Sequence, residues 1–171
     1  GAAGKKALAK AVPHRPYAQD KCDDCHGDRR TGATVQPVPE LCFKCHEGQR
    51  AWLSAPVVHA PLQSRESCLS CHGPHAGKAT ALLDRAGDKL CFSCHDARPF
   101  RRRFVHDALE SGCTTCHNPH SSKNGKLLNE NVETLCRECH NDTSKHLHRI
   151  SGGIDPRTDK PLNCVSCHMP H

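Results

Sequence analysis

Apolar positions along this chain are few, and Gly, Pro and charged residues break them into short runs. That pattern predicts mostly loops with short helices, and little or no β-structure. Leu41, Leu90 and Leu135 each stand directly before a cysteine, and short helices are expected there, at about residues 40–46, 88–95 and 132–140. Pro37, Pro39, Pro56, Pro61, Pro99 and Pro156 read as loop residues. No segment approaches the roughly 20 consecutive apolar residues of a membrane-spanning helix. The opening residues Gly1, Ala2, Ala3 and Gly4 are small, as suits a cleavage site, so a processed N-terminus is expected.

Composition makes the shortage of apolar residues sharper. The chain of 171 residues is 36% hydrophobic and 4% aromatic, with one Trp, one Tyr and one Met. An ordinary globular domain is about 45–50% apolar. This polypeptide cannot bury enough side-chain surface to offset the entropy of ordering itself. Something other than side chains must supply the core of what is expected to be one domain over residues 1–171.

The cysteines say what that is. All 14 fall in C-x-x-C-H units, of which there are seven. They are Cys22, Cys25 and His26; Cys42, Cys45 and His46; Cys68, Cys71 and His72; Cys91, Cys94 and His95; Cys113, Cys116 and His117; Cys136, Cys139 and His140; and Cys164, Cys167 and His168. This is the attachment signature of c-type haem. Two thiols at this spacing reach the two vinyl groups of one porphyrin, and the adjacent His lies under the iron as proximal ligand. Zinc explains the pattern less well, because a site built from two C-x-x-C knuckles leaves each following His surplus. Disulfides explain no histidines, and no βαβ context for a thioredoxin-like motif is readable. The expected cofactors are seven haem c groups.

Eight histidines remain: His14, His59, His75, His106, His120, His146, His148 and His171. Met169 is the single Met and directly follows His168, so it is poorly placed to reach the far side of that haem. Bis-His ligation is the natural reading, with these eight as distal candidates. In three places a second His lies three residues beyond a proximal one, as His72-Gly73-Pro74-His75, His117-Asn118-Pro119-His120 and His168-Met169-Pro170-His171. That stretch reaches at most about 10 Å, too short to wrap round its own porphyrin. The second His is expected to serve a different haem and so bring two haems close.

The motifs form an internal repeat. Units run over about residues 14–46, 59–95 and 106–140, with a half unit at 148–171. In units two and three, the first cysteines of the paired motifs are 23 residues apart and Leu82-Leu83 and Leu127-Leu128 fall at matching positions; in unit one the spacing is 20. Unit one carries Gly27-Asp28 where the others have H-x-P-H. Its second haem is therefore expected to lack its usual ligand, while His171 stands in a unit without a second haem. These two defects look complementary.

Charge needs the cofactors to be interpreted. The formal charge is +6, but each ferric haem with two propionates adds about −1 and each ferrous one about −2, so the loaded chain is about −1 oxidised and about −8 reduced. The basic residues offset the cofactors, and nucleic acid is not an expected partner. Arg98 and the run Arg101, Arg102 and Arg103 are expected to pair with propionates or to form a partner-docking patch.

The succession of a leading His, C-x-x-C-H-x-P-H, Leu-Leu and Leu-C-x-x-C-H resembles the doubled-CXXCH multihaem cytochromes of metal-reducing and other anaerobic bacteria, over about residues 14–171. The resemblance implies bis-His haems in alternating parallel and perpendicular stacks, export, and a periplasmic or extracellular site. Some similar cytochromes polymerise into extracellular filaments in which a His of one subunit ligates a haem of the next.

Electron transfer through a haem chain is the expected function, in a head-to-tail homopolymer with His171 reaching the next subunit, and with other redox proteins or extracellular acceptors as partners. A monomeric periplasmic shuttle is the alternative. A multihaem reductase needs an iron with an open position, and eight spare histidines for seven irons predict none. If haem supplies the core, the apo-chain made without haem attachment melts without a cooperative transition in calorimetry; a sharp transition would contradict this.

Overall fold

In the computed structural model, residues 11–140, 153–156 and 159–168 are described. The elements are short. The α-helices are Arg15–Ala18, Glu40–Phe43, Asp88–Cys91, Val132–Arg137 and Cys164–Cys167. Three of them begin at the positions expected from the apolar pattern. Each stops at or just past its first cysteine rather than running on to the His. An acidic residue in the first turn, Glu40, Asp88 or Glu133, favours each start through the helix dipole. Asn131 also caps its helix, its side chain accepting from the Thr134 amide at 3.0 Å. One tight turn then closes the motif: the amides of His46, His72, His95, His117, His140 and His168 donate to the carbonyl of the first cysteine, at 2.9 to 3.0 Å.

Among the described residues, strands occur only as two-stranded antiparallel pairs of two or three residues. Two of these pairs clip neighbouring units together. Val12–Pro13 pairs with Ala76–Gly77, and Val57–Val58 pairs with Ser121–Ser122. The ladder continues into the leading histidines, whose amides donate across it, His14 to the His75 carbonyl at 2.8 Å and His59 to the His120 carbonyl at 2.9 Å. A third pair, His26–Asp28 with Ala33–Thr34, occupies the place of the missing H-x-P-H in unit one.

The matched leucines mark a turn. Ala81 and Leu82 have φ of 55° and 60°, and Lys126 and Leu127 have φ of 57° and 58°. Left-handed backbone at non-glycine residues costs on the order of 1 kcal/mol each. The turn recovers this in hydrogen bonds. The Leu82 and Leu127 carbonyls accept from Gly73 and Asn118, both at 2.8 Å, and the Ala81 and Lys126 carbonyls are aimed at histidines described below.

Apolar side chains build almost no core. Among the described residues Phe43 is the one buried hydrophobic side chain, at 6% exposure, while Phe104 is 83% exposed. The Arg50 guanidinium lies 4.6 Å from the centre of the Phe43 ring and forms two hydrogen bonds with Glu40, at 3.0 and 2.6 Å. Arg50 and Glu40 are about half exposed, so that pair adds little to stability. Truncating the ring removes far more. Phe43→Ala should destabilise the haem-loaded protein by about 3 kcal/mol, and Arg50→Ala should cost far less. Denaturant titration of both variants checks that order, and equal losses would contradict it.

Candidate haem sites

Each proximal histidine must present one ring nitrogen to an iron and have the other held. The ring Nδ1 of His72 donates to the Ala81 carbonyl at 2.7 Å, and that of His117 to the Lys126 carbonyl at 2.8 Å. These are the carbonyls turned by the left-handed pairs. His26 Nδ1 donates to the Gly32 carbonyl at 3.1 Å. Because a carbonyl only accepts, Nδ1 carries the proton and Nε2 is left with its lone pair outward.

The spare histidines meet the proximal ones in a fixed register. Ring centres lie 5.8 Å apart for His26 and His75, 6.2 Å for His14 and His46, and 6.2 Å for His72 and His120. They lie 6.1 Å apart for His59 and His95, and 5.9 Å for His106 and His140. Two imidazole nitrogens about 2.0 Å either side of a shared metal bring ring centres to about 6 Å. The residues present thus fit an iron between each pair, with a porphyrin edge held by the two adjacent thiols. The interplanar angles are 27°, 20°, 14° and 16° for the first four pairs and 52° for His106 with His140.

The register obeys one rule. The leading His of a unit faces the second motif of its own unit, as His14, His59 and His106 do. The H-x-P-H histidine faces the first motif of the preceding unit, as His75 and His120 do. Where the second motif of unit one was expected to lack its usual ligand, the His14 ring stands opposite His46. The expectation assigned the H-x-P-H histidine to a second motif, whereas the strand clips carry it back to a first motif. Unit one, with Gly27-Asp28, hands no His backward. His146, His148 and His171 lie outside the described residues, and no ring faces His117 among those described.

The same turn serves two pairs at once. Pro74 and Pro119 offer their carbonyls to the ring Nδ1 of His14 and His59, at 2.9 and 2.8 Å. The next residue, His75 or His120, faces the neighbouring motif. Proline suits this place because it fixes φ and has no amide proton to compete. Burial, and then the nearby His26 and His14, lower the His75 pKa; burial, and then His72 and His59, lower that of His120. A lowered value keeps the imidazole neutral, which is the ligating form.

The thiols run in chain order. Burial pushes Cys42 up to about 11, with Cys68 and Cys25 adding to it. Cys71 is raised by burial and then by Cys94 and Cys91. Cys113 rises to about 12 through burial, Asp88 and Cys91, and Cys136 rises through burial, Cys164 and Cys116. Each motif therefore lies beside the next. At one junction Asp88, Cys91 and Cys113 bring their ligand atoms within 4.8 Å of one another, and Asp88 accepts from the Cys113 amide at 2.9 Å. Of the basic run, Arg98 is paired with Asp96 at 2.8 Å, and Arg101 lines a cavity of about 210 Å³ with Phe92, Phe100 and Cys113.

The doubled CXXCH motif family matches residues 14–51, 59–99 and 106–145, more than half of the chain. The multiheme cytochrome MtrA of Shewanella baltica (strain OS185) is 29% identical over 89 residues, covering 48% of this chain. The match takes in 26% of that protein, so the chain aligns with about a quarter of its relative. Three matched segments coincide with the three units whose histidines pair in one register, and the chain belongs to the doubled CXXCH motif family of multihaem c-type cytochromes.

Proposed function

We propose that the chain attaches seven haems in sequence order and passes electrons along them. The observation that carries this reading is the five facing imidazole pairs in a single register. The adjacency of successive thiols supports a continuous path. When bound, each haem supplies a one-electron couple. The cysteines of each motif would hold a porphyrin edge, and the facing histidines of the five pairs would hold an iron between them, the Nδ1 bonds of His14, His26, His59, His72 and His117 keeping those rings in place. A filled sixth position favours transfer over turnover of a substrate at those sites.

The register extends to the remaining sites. His171, as the H-x-P-H histidine of the half unit, would face His117 of its own chain, and His146 or His148 would serve His168. The hand-off of His171 to unit one of a neighbouring copy rested on a vacant partner for His46, and the His14 ring facing His46 at 6.2 Å favours the in-chain register instead. Thiol attachment of haem implies export, so a periplasmic or extracellular site is proposed, with other redox proteins as donors and acceptors.

His171→Ala separates the in-chain register from polymerisation. In the in-chain register, dilute single particles of the variant gain one high-spin haem that binds carbon monoxide, and wild type gains none. If the variant's single particles keep the wild-type spectrum while long filaments seen for wild type by electron microscopy disappear, His171 serves a neighbouring copy instead. Wild-type protein that binds carbon monoxide at many haems would overturn the bis-His conduit itself.

A further inference from the structure

The ligands that cross between units are held differently from those that stay within one. His14 and His59 each donate through Nδ1 to a proline carbonyl. Among the described residues, no such ring-nitrogen bond is found for His75 or His120. Each of these instead meets the aromatic side chain of an earlier segment. The Trp52 indole lies 4.0 Å from the His120 ring at an interplanar angle of 7°, and Tyr17 lies 5.1 Å from His75 at 45°. These are the chain's single Trp and single Tyr.

Trp52 sits in the 3-10 helix Glu47–Ser54, which follows the second motif of unit one and packs against the Val57–Val58 and Ser121–Ser122 strands. Residues of the segment between units one and two and residues of unit three line an open groove there, among them Trp52, Asn118 and Ser121. The helix thus presents its indole to a histidine of unit three that faces His72 of unit two. A parallel indole in contact with one face of an imidazole opposes rotation of that ring about its bond to a metal, since rotation would drive the ring edge into the indole. An axial ligand with no hydrogen bond to fix its plane needs such a contact.

We propose that Trp52 is a positioning residue for the haem attached at Cys68 and Cys71: it locks the plane of the distal His120 imidazole close to that of His72, and so sets the electronic state of that haem. The 14° between the two ligand planes is the angle being held. The angle between axial imidazoles governs how far the iron d orbitals are split, and near-parallel planes give a well-spread low-spin signal. Tyr17, tilted against His75, holds the ligand of the haem at Cys22 and Cys25 less firmly. The proposal rests on the bis-His reading of these sites.

Low-temperature electron paramagnetic resonance of oxidised, haem-loaded Trp52 variants tests it, with haem content and visible spectra measured in parallel. Trp52→Ala should keep the full haem complement and a low-spin spectrum. One haem's share of the near-parallel signal should be lost and reappear as a more anisotropic one, with a displaced midpoint in redox titration. Trp52→Phe, which keeps a flat ring, should restore the wild-type signal, whereas Trp52→Leu, which fills space without one, should not. Tyr17→Ala should give a smaller displacement, at a different haem. Wild-type signals in both the Ala and Leu variants would overturn the clamp. If Trp52→Ala does not load haem, the Phe and Leu pair decides: matching wild-type signals in both overturn the proposal. A wild-type protein without low-spin signals would instead overturn the bis-His reading on which the clamp depends.

Discussion

Two imidazoles facing each other at about 6 Å are the interaction on which the rest of this structure depends. In an ordinary domain of this length, the units would be held by apolar faces pressed together. Here one buried phenylalanine is all that the described side chains offer. The units are joined instead by geometry at a few points, where a His from one segment must stand opposite a His from another. The two-residue strand clips between units, which would be marginal in isolation, make sense in that setting. They add little stability. They set the register that puts His75 before His26 and His120 before His72.

Much of the chemistry was legible in the sequence, because it is written in residues that have few other uses. Fourteen cysteines in seven C-x-x-C-H units specify covalent haem attachment without any knowledge of the fold. The helix starts at Glu40, Asp88 and Val132 were readable from a leucine before each cysteine. The reach of three residues was enough to say that His75 and His120 would face a motif other than their own.

What was not legible was which haem. His14 is close to Cys22 along the chain and farther from Cys42, and spacing alone left its partner open. The deciding contacts, from His14 to the carbonyls of Pro74 and His75, lie some 60 residues away and are made by the backbone, which has no sequence signature. The left-handed pairs at Ala81-Leu82 and Lys126-Leu127 were hidden for a similar reason. Nothing in Ala, Leu or Lys favours positive φ. The repeated Leu-Leu was visible, but its meaning, a strained turn that aims a carbonyl at the proximal His, appears only in three dimensions.

The consequence for function lies in how the two ligand sets share one turn. A proline carbonyl fixes one His of one facing pair while the next residue supplies one His of another. Moving that turn would disturb two neighbouring sites together. It is in turn anchored by the strand clip and by the leucine turn that follows it. Each site is therefore over-determined by its neighbours, and a small local shift meets resistance from several directions. For a chain that passes electrons over a row of sites, rigidity of this kind is useful. The distances between sites vary little, and the surroundings of each iron need little rearrangement when its charge changes by one. A large apolar core is one way to obtain that rigidity. This chain obtains it with interlocked ligands, and can leave most of its surface to loops.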